Sequence, residues 1–502
     1  MSGKSVAVML IKMLPNDNDS STLFNRTLGG IKRTWRDLTG TVRVKRSAME
    51  SASLPTDDLA RLRSRIDDCL HGAGGEVSER ARAVELGQVY LELNRQGRER
   101  FFRLLASEYD IDRAALARTV AAWSDLYQRI ENRPENIDGL YRATESRLRE
   151  GLASPRIRLL SRFNELPEGV KFLVDMRAEL IPLSRKDPLL RGLDNDLKRL
   201  LTGWFDVGFL DLRCITWDAP ASLLEKLVDY EAVHAITSWS DLRNRLAPED
   251  RRCYAYFHPQ MPNEPLIFVW VALVQGMSRN VQSLLDTERT VIEYPADEAD
   301  TAIFYSISNA QSGLAGISFG NFLIKRVVKD LSNDYRNLGA FATLSPIPGF
   351  RGWLGERVAE EGDALLDKTE WEAVSSAART MDVSETGAQA LIALCSLPEW
   401  RRQSEVADAI RDPLMRLCAR YLTSARRGKY ARNRVAHFHL SNGARMERIN
   451  WLGDTSEKGL DESAGMMINY LYEATEIERN HEAYVGEGKI AVASGFHDLS
   501  KG

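Results

Sequence analysis

The period of the apolar residues changes once along this chain, near Trp204. That change calls for a helical part followed by a part mixing strands and helices. Before it, Leu86, Val89, Tyr90 and Leu93 recur at steps of three and four, and so do Leu116, Val120, Trp123 and Tyr127. Such spacing gives each helix one apolar stripe, to be buried on a neighbouring helix or on a second copy of the chain. Gly72, Gly74, Gly75, Pro134 and Pro155 punctuate this stretch. After it, residues 252–258 (RCYAYFH) and 266–273 (LIFVWVAL) are β-branched or aromatic runs joined by PQMPNEP, which predicts a hairpin of buried strands. Residues 301–308 (TAIFYSIS) predict another strand. A helix is expected over 321–338, striped by Leu323, Val327, Val328 and Leu331, then a short strand over 340–344 halted by Pro346 and Pro348. Helical patterns return over 352–427, and 435–440 and 444–451 flank Ser441-Asn442-Gly443, which predicts a closing hairpin. The expected fold class is α+β: an all-α helical bundle over 1–205, its first fifty or so residues a flexible arm, then a mixed α/β domain over 206–502. A helical insertion is expected in the second part around 352–430.

Composition narrows the functional classes. At 502 residues the chain exceeds one ordinary core, and its 44% hydrophobic and 27% charged residues are those of a globular protein. A formal net charge of -4 provides no basic field for nucleic acid or an anionic membrane. No run approaches the roughly 20 apolar residues of a membrane span. The five cysteines show no CxxC spacing and the seven histidines are scattered, so reduced thiols and no metal site are expected. Lys32, Arg33, Arg36, Arg43, Lys45 and Arg46 make the start basic. A solvated arm accounts for that, and Asp17, Asp19 and Asp37 speak against a transit peptide. A cytoplasmic protein is expected, with a mitochondrial location left open. The final Ser500-Lys501-Gly502 differs from the peroxisomal Ser-Lys-Leu.

Chemistry first surfaces between the predicted strand at 301–308 and the helix after it. Gly313, Gly316 and Gly320 let the backbone turn tightly and approach a ligand, and free N–H groups at a helix start favour phosphate oxygens. The segment lacks the Gly-Lys-Ser/Thr of a Walker loop, and no acidic ribose-binding residue follows a second strand. A pyrophosphate without a nicotinamide suggests coenzyme A.

A strand, a glycine loop and a helix in that order resemble the core of the GNAT acyltransferase superfamily. The longer string FYSISNAQSGLAGISFGNFLIKRVVKDL, with LSPIPGF, RDPLMRLCARYL, VAHFHLSNGA and RINWLGD, is similar to the malonyl-CoA decarboxylase family. WFDVGFLDLRCITWDAP and EAVH fit the same family, so the resemblance runs from about Leu197 onward. It implies a GNAT-like catalytic domain acting on malonyl-CoA, with acetyl-CoA and CO2 as products and no metal or biotin. It also implies a homo-oligomer formed through the N-terminal helices. By analogy, backbone N–H groups near the end of the 303–308 strand polarise the thioester oxygen.

The resemblance also assigns roles. Ser345 is implied to orient the malonyl carboxylate or act as proton acceptor, and His439 to donate the proton. Tyr472 lies close to them, and Ala315, Gly316, Ile317, Ser318, Phe319, Gly320 and Asn321 surround the pyrophosphate. Taken bare, Ser345 reads equally as a turn serine and Tyr472 as a core residue. On the predicted strand His437 and His439 share a face, so spacing alone does not choose between them. The resemblance selects His439. Ser318 departs from the family pattern, since animal members carry Glu there. Lys325 and Arg326 read as a solvated helix face within reach of the nucleotide. Acceptance of methylmalonyl-CoA depends on pocket volume. Two other readings stay open: a GNAT acetyltransferase using coenzyme A, and a non-catalytic acyl-CoA sensor.

Overall fold

The computed structural model describes Ile31, Thr34, Trp35 and residues 51–132, 138–286, 295–317, 323–397 and 399–501. Among these residues, eight helices precede the first strand: Thr56–His71, Glu76–Glu92, Arg95–Glu108, Arg113–Asn132, Asp138–Gly151, Pro155–Asn164, Gly169–Ser184 and Pro188–Trp204. Their starts are locally encoded. Asn94 accepts a hydrogen bond from Gly97 N, and Asp187 accepts one from Leu189 N ahead of Pro188. The first predicted stripe is core, with Leu86, Val89, Tyr90 and Leu93 all buried. Tyr90 meets Phe101, Phe102 and Phe172 there. The second stripe is not: Val120 is 46% and Tyr127 53% exposed, both on the helix Arg113–Asn132, which packs chiefly against the helix Asp138–Gly151. Of the arm expected over the first fifty residues, only Ile31, Thr34 and Trp35 are described. Trp35 is buried, stacks near Phe163 and donates through Nε1 to Pro167 O at 2.6 Å.

Beyond Trp204 a mixed sheet forms. Its strands are β1 Asp211–Ile215, β2 Arg251–His258, β3 Met261–Val274, β4 Thr301–Asn309, β5 Ala340–Thr343, β6 Ser345–Pro346, β9 Arg445–Asn450 and β10 Met467–Leu471. β7 Arg426–Arg427 and β8 Tyr430–Ala431 pair separately. β1 to β4 are antiparallel neighbours, β5 runs parallel to β4, and β10 lies antiparallel to β5, β6 and β9. Strand alternation sorts two cores. Ile267, Val269, Val271 and Leu273 of β3 join the helical core. Phe268, Trp270 and Ala272 face the other side, with Leu227 and Leu242 from the helices Ala221–Tyr230 and Trp239–Leu246.

The order expected of a GNAT-like core is present: β4, the glycine segment, then the helix Leu323–Asp334. Helices Phe350–Glu361, Lys368–Thr380, Gly387–Cys395 and Ser404–Ser424 occupy the span of the expected insertion.

One prediction is overturned. Residues 435–440 are not a strand but part of the helix Arg434–Ser441, so no hairpin closes at Asn442-Gly443. Asn433 caps its start by accepting from Ala436 N, and Gly443 at φ 83° ends it in the left-handed conformation. The Asn-Gly pair that signals a hairpin serves equally well at a helix end.

The sheet opens at its middle. β5 pairs with β4 only as far as Phe304↔Thr343, while β4 continues to Asn309 against β3. The β3/β4 register slips where Ser306 faces Trp270 and Phe304 faces Val271, leaving Tyr305 as an extra residue. Such a bulge bends the strand and re-aims the side chains beyond it. The far half of β4 therefore leaves β5 and borders a cavity of about 800 Å3.

Candidate active site

Ser345 begins β6, where β10 holds it opposite Ile468. The turn behind it is fixed twice, because Pro348 O accepts from Tyr421 OH at 3.0 Å and from Asn433 Nδ2 at 2.8 Å. Asn433 also caps the helix carrying His439, so one side chain ties the serine turn to the histidine helix. The result is a hydrogen-bonded chain. Ser345 Oγ lies 3.1 Å from His439 Nε2, and His439 Nδ1 lies 2.8 Å from Tyr472 OH. Ser345 donates to Thr343 Oγ1 at 2.8 Å, which leaves its oxygen free to accept. That places the imidazole proton on Nε2 and makes Nδ1 the acceptor of the Tyr472 hydroxyl. All three groups are buried, and the His439 ring stacks on Tyr470 at 4.5 Å. Ser345 and His439 line the cavity, while Tyr472 stands behind the imidazole.

The helix that replaced the predicted strand separates the two histidines. His437 meets Tyr484 OH at 3.0 Å and Tyr430, and it borders the cavity without bonding to Ser345. Burial also changes the electrostatics expected of a proton donor. The pKa of His439 is pushed down to about 3, so its imidazole is neutral near pH 7 in the free protein. Burial likewise raises the Tyr472 phenol well above its ordinary value.

The described residues of the glycine segment pack against the helical half. Gly313 is needed because a Cβ there would sit 1.8 Å from Val174 O of the helix Gly169–Ser184, so this glycine serves packing within the protein. Arg177 of the same helix donates to Gly313 O at 2.6 Å and Ala315 O at 3.0 Å, and pairs with Asp194. Gly316 has φ 77°, and a Cβ on it would lie 3.2 Å from Lys198 Nζ. Ala315, Gly316 and Ile317 thus sit under the helical half, whereas Ser318, Phe319, Gly320 and Asn321 lie outside the described residues. Arg326 pairs with Asp330 on an exposed face. No group of three or more His, Cys, Asp or Glu among the described residues is arranged to hold a metal ion.

Two family models cover this architecture: the malonyl-CoA decarboxylase C-terminal domain over residues 208–502 and the malonyl-CoA decarboxylase N-terminal domain over 109–205. The chain belongs to the malonyl-CoA decarboxylase family. Mitochondrial malonyl-CoA decarboxylase of the goose Anser anser anser is 40% identical over 362 residues, 71% of each chain. The rat enzyme is 40% identical over 362 residues, covering 69% of this chain and 71% of its own. The crystal structure of malonyl-CoA decarboxylase from Rhodopseudomonas palustris is 38% identical with a TM-score of 0.74. That from Agrobacterium vitis is 36% identical at 0.76, and each match covers 88% of this chain and 99% of the other.

For a member of the malonyl-CoA decarboxylase family, sequence reasoning passed over three groups near the cavity or glycine segment. Thr343 accepts a hydrogen bond from Ser345, and it belongs to a strand read without any role in the site. Lys198 comes from a helix read only as bundle. His234 stands in the EAVH block, which carried resemblance without a role. Lys198 and His234 are brought in from far along the chain, which no local spacing marks, whereas Thr343 stands two residues from Ser345.

Proposed function

We propose that this chain is a carboxy-lyase that converts malonyl-CoA and a proton to acetyl-CoA and CO2. The observation that carries this reading is the buried Tyr472–His439–Ser345 chain at the cavity where β4 leaves β5. Breaking the carboxyl carbon bond leaves an electron pair that spreads onto the thioester oxygen as an enolate. The far half of β4 has no strand partner on its β5 side among the described residues, so its backbone N–H groups are the donors for that oxygen. Ser345 orients the carboxylate. An anionic carboxylate beside His439 raises its proton affinity, so the imidazole, neutral in the free protein, takes up a proton on binding. When CO2 leaves, His439 delivers its Nε2 proton to the new carbanion and keeps the proton taken up on Nδ1, where Tyr472 holds the ring in place. Delocalisation into the thioester and these hydrogen bonds supply the stabilisation, so neither metal nor biotin has a step to perform.

Coenzyme A is held at residues 315–321, with its pyrophosphate against the glycine segment and Lys198 adding positive charge beside Gly316. The exposed apolar residues Val120, Tyr127, Leu140 and Leu152 favour a homo-oligomer through the N-terminal helices, which sedimentation of the intact chain would detect. We place the protein in the cytoplasm. Relatives from goose and rat are named as mitochondrial, and no helix among the described residues is long and apolar enough to cross a membrane.

The test is to incubate the protein with malonyl-CoA, without any amine, and follow acetyl-CoA by mass spectrometry. Acetyl-CoA should accumulate, and Ser345→Ala or His439→Ala should lower kcat by about a hundredfold or more while coenzyme A still binds. No product from the unaltered chain, or full activity in both variants, would overturn the reading.

A further inference from the structure

A second polar element borders the same cavity, built on Glu231 between the helices Ala221–Tyr230 and Trp239–Leu246. The Glu231 carboxylate accepts five hydrogen bonds. Oε1 takes Val233 N and His234 N at 2.9 Å and Ser306 Oγ at 2.7 Å, while Oε2 takes Trp270 Nε1 at 2.8 Å and Ser308 Oγ at 3.3 Å. These bonds fasten the segment to β3 and to the bulged half of β4. Its carbonyls are fastened too. Lys458 Nζ reaches Ala232 O at 2.9 Å and Val233 O at 3.4 Å, and Arg245 donates to His234 O at 2.9 Å and Ala235 O at 3.3 Å.

Against these backbone bonds the His234 side chain stands apart. It is 8% exposed and lines the cavity with Ser345 and His439, yet its Nε2 has no hydrogen-bond partner among the described residues. A buried polar atom without a partner, on a segment held this firmly, marks a hydrogen bond that a ligand completes. Burial lowers the imidazole pKa, so the ring is presented uncharged, with one nitrogen able to donate and the other to accept.

We propose that His234 donates a hydrogen bond through Nε2–H to the malonyl carboxylate, and so separates malonyl-CoA from thioesters that lack it. The inference rests on the decarboxylase reading and extends it to substrate choice. The carboxylate is the anionic group at the acyl end, and its charge disappears from that position as CO2 leaves. A fixed cation there, unlike the His439 imidazolium whose proton is consumed as CO2 leaves, would stabilise the bound substrate more than the transition state and slow the reaction. Here Lys458 and Arg245 bond to backbone carbonyls, Arg434 borders the cavity from the helix of His439, and the neutral imidazole of His234 faces it. It orients the carboxylate without neutralising it.

The experiment compares KM for malonyl-CoA with the inhibition constant of acetyl-CoA, which has the same thioester and nucleotide but no carboxylate. His234→Ala should raise KM for malonyl-CoA about ten- to a hundredfold and leave acetyl-CoA inhibition unchanged. His234→Gln, which keeps an N–H at a similar reach, should recover much of that loss. Equal weakening of both thioesters would show a merely structural residue and overturn the proposal, as would an unchanged KM. If the unaltered chain produced no acetyl-CoA, the decarboxylase reading would fail by itself. Equilibrium binding of the two thioesters to the wild type and both variants would then decide the role of His234 separately.

Discussion

At the scale of single residues, His439 is the group whose chemistry depends most on being folded. Its pKa is about 3 in the native protein against an ordinary value near 6.5, so between those values the unfolded chain binds a proton that the native one does not. The contribution is therefore complete above pH 6.5 and is lost progressively as pH falls toward 3, by at most about 1.4 kcal/mol per pH unit. His234, His258 and His437 shift in the same direction through burial. The urea midpoint of the wild type should fall between pH 7 and 5.5, and His439→Gln should flatten that fall without abolishing it. Identical slopes for the two proteins would contradict a buried neutral imidazole. Ser345 and His439 were legible in sequence only through the blocks around them. Nothing local tells a reactive serine from a turn serine, because the partner stands 94 positions away. His234 was legible as part of a block but not as a functional group, since its meaning comes from an empty hydrogen-bonding position that only the fold creates.

Among the elements, the helix Arg434–Ser441 connects local sequence to the site. Read as a strand, Val435, His437 and His439 alternate with Ala436, Phe438 and Leu440, and the pattern looks regular. Read as a helix, Ala436 and Leu440 fall one turn apart and both are buried. Short apolar runs satisfy both periods, and the decision lies in the Asn433 cap outside the run. The strands β2, β3 and β4 carried no such ambiguity, since they are long, rich in aromatic or β-branched residues and buried on both faces. Asn433 has two duties, capping the helix and donating to Pro348 O, and two substitutions separate them. Asn433→Ala should lose about 1 kcal/mol of stability and also lower kcat. Asn433→Asp keeps the cap acceptor without the amide donor, so it should regain thermal stability while kcat stays low. Full recovery of kcat in the Asp variant would show that the tie to the serine turn does not position Ser345.

For the whole molecule, the boundary near Trp204 seen in the sequence is a change of secondary structure and not a division of labour. The helical half delivers Arg177 and Lys198 to the glycine segment of the sheet half. A lysine in an amphipathic helix is ordinarily a solvated charge, so the sequence held no sign that Lys198 meets a loop more than a hundred residues later. Lys198→Ala should raise KM for malonyl-CoA and weaken inhibition by free coenzyme A by a similar factor of about ten, with little change in kcat. Lys198→Arg should keep most of the affinity. A KM that does not move would remove Lys198 from the phosphate site.

The Arg177 contacts also bear on how such a protein can be shortened or recombined. A fragment starting at the first strand would leave the carbonyls of Gly313 and Ala315 without their guanidinium, and Gly313 without the surface that makes glycine necessary there. A chimera joined near residue 206 inherits Ser345 and His439 from one parent and the support of its glycine segment from the other. The two parents must therefore agree at Val174, Arg177 and Gly313 before they can share a substrate.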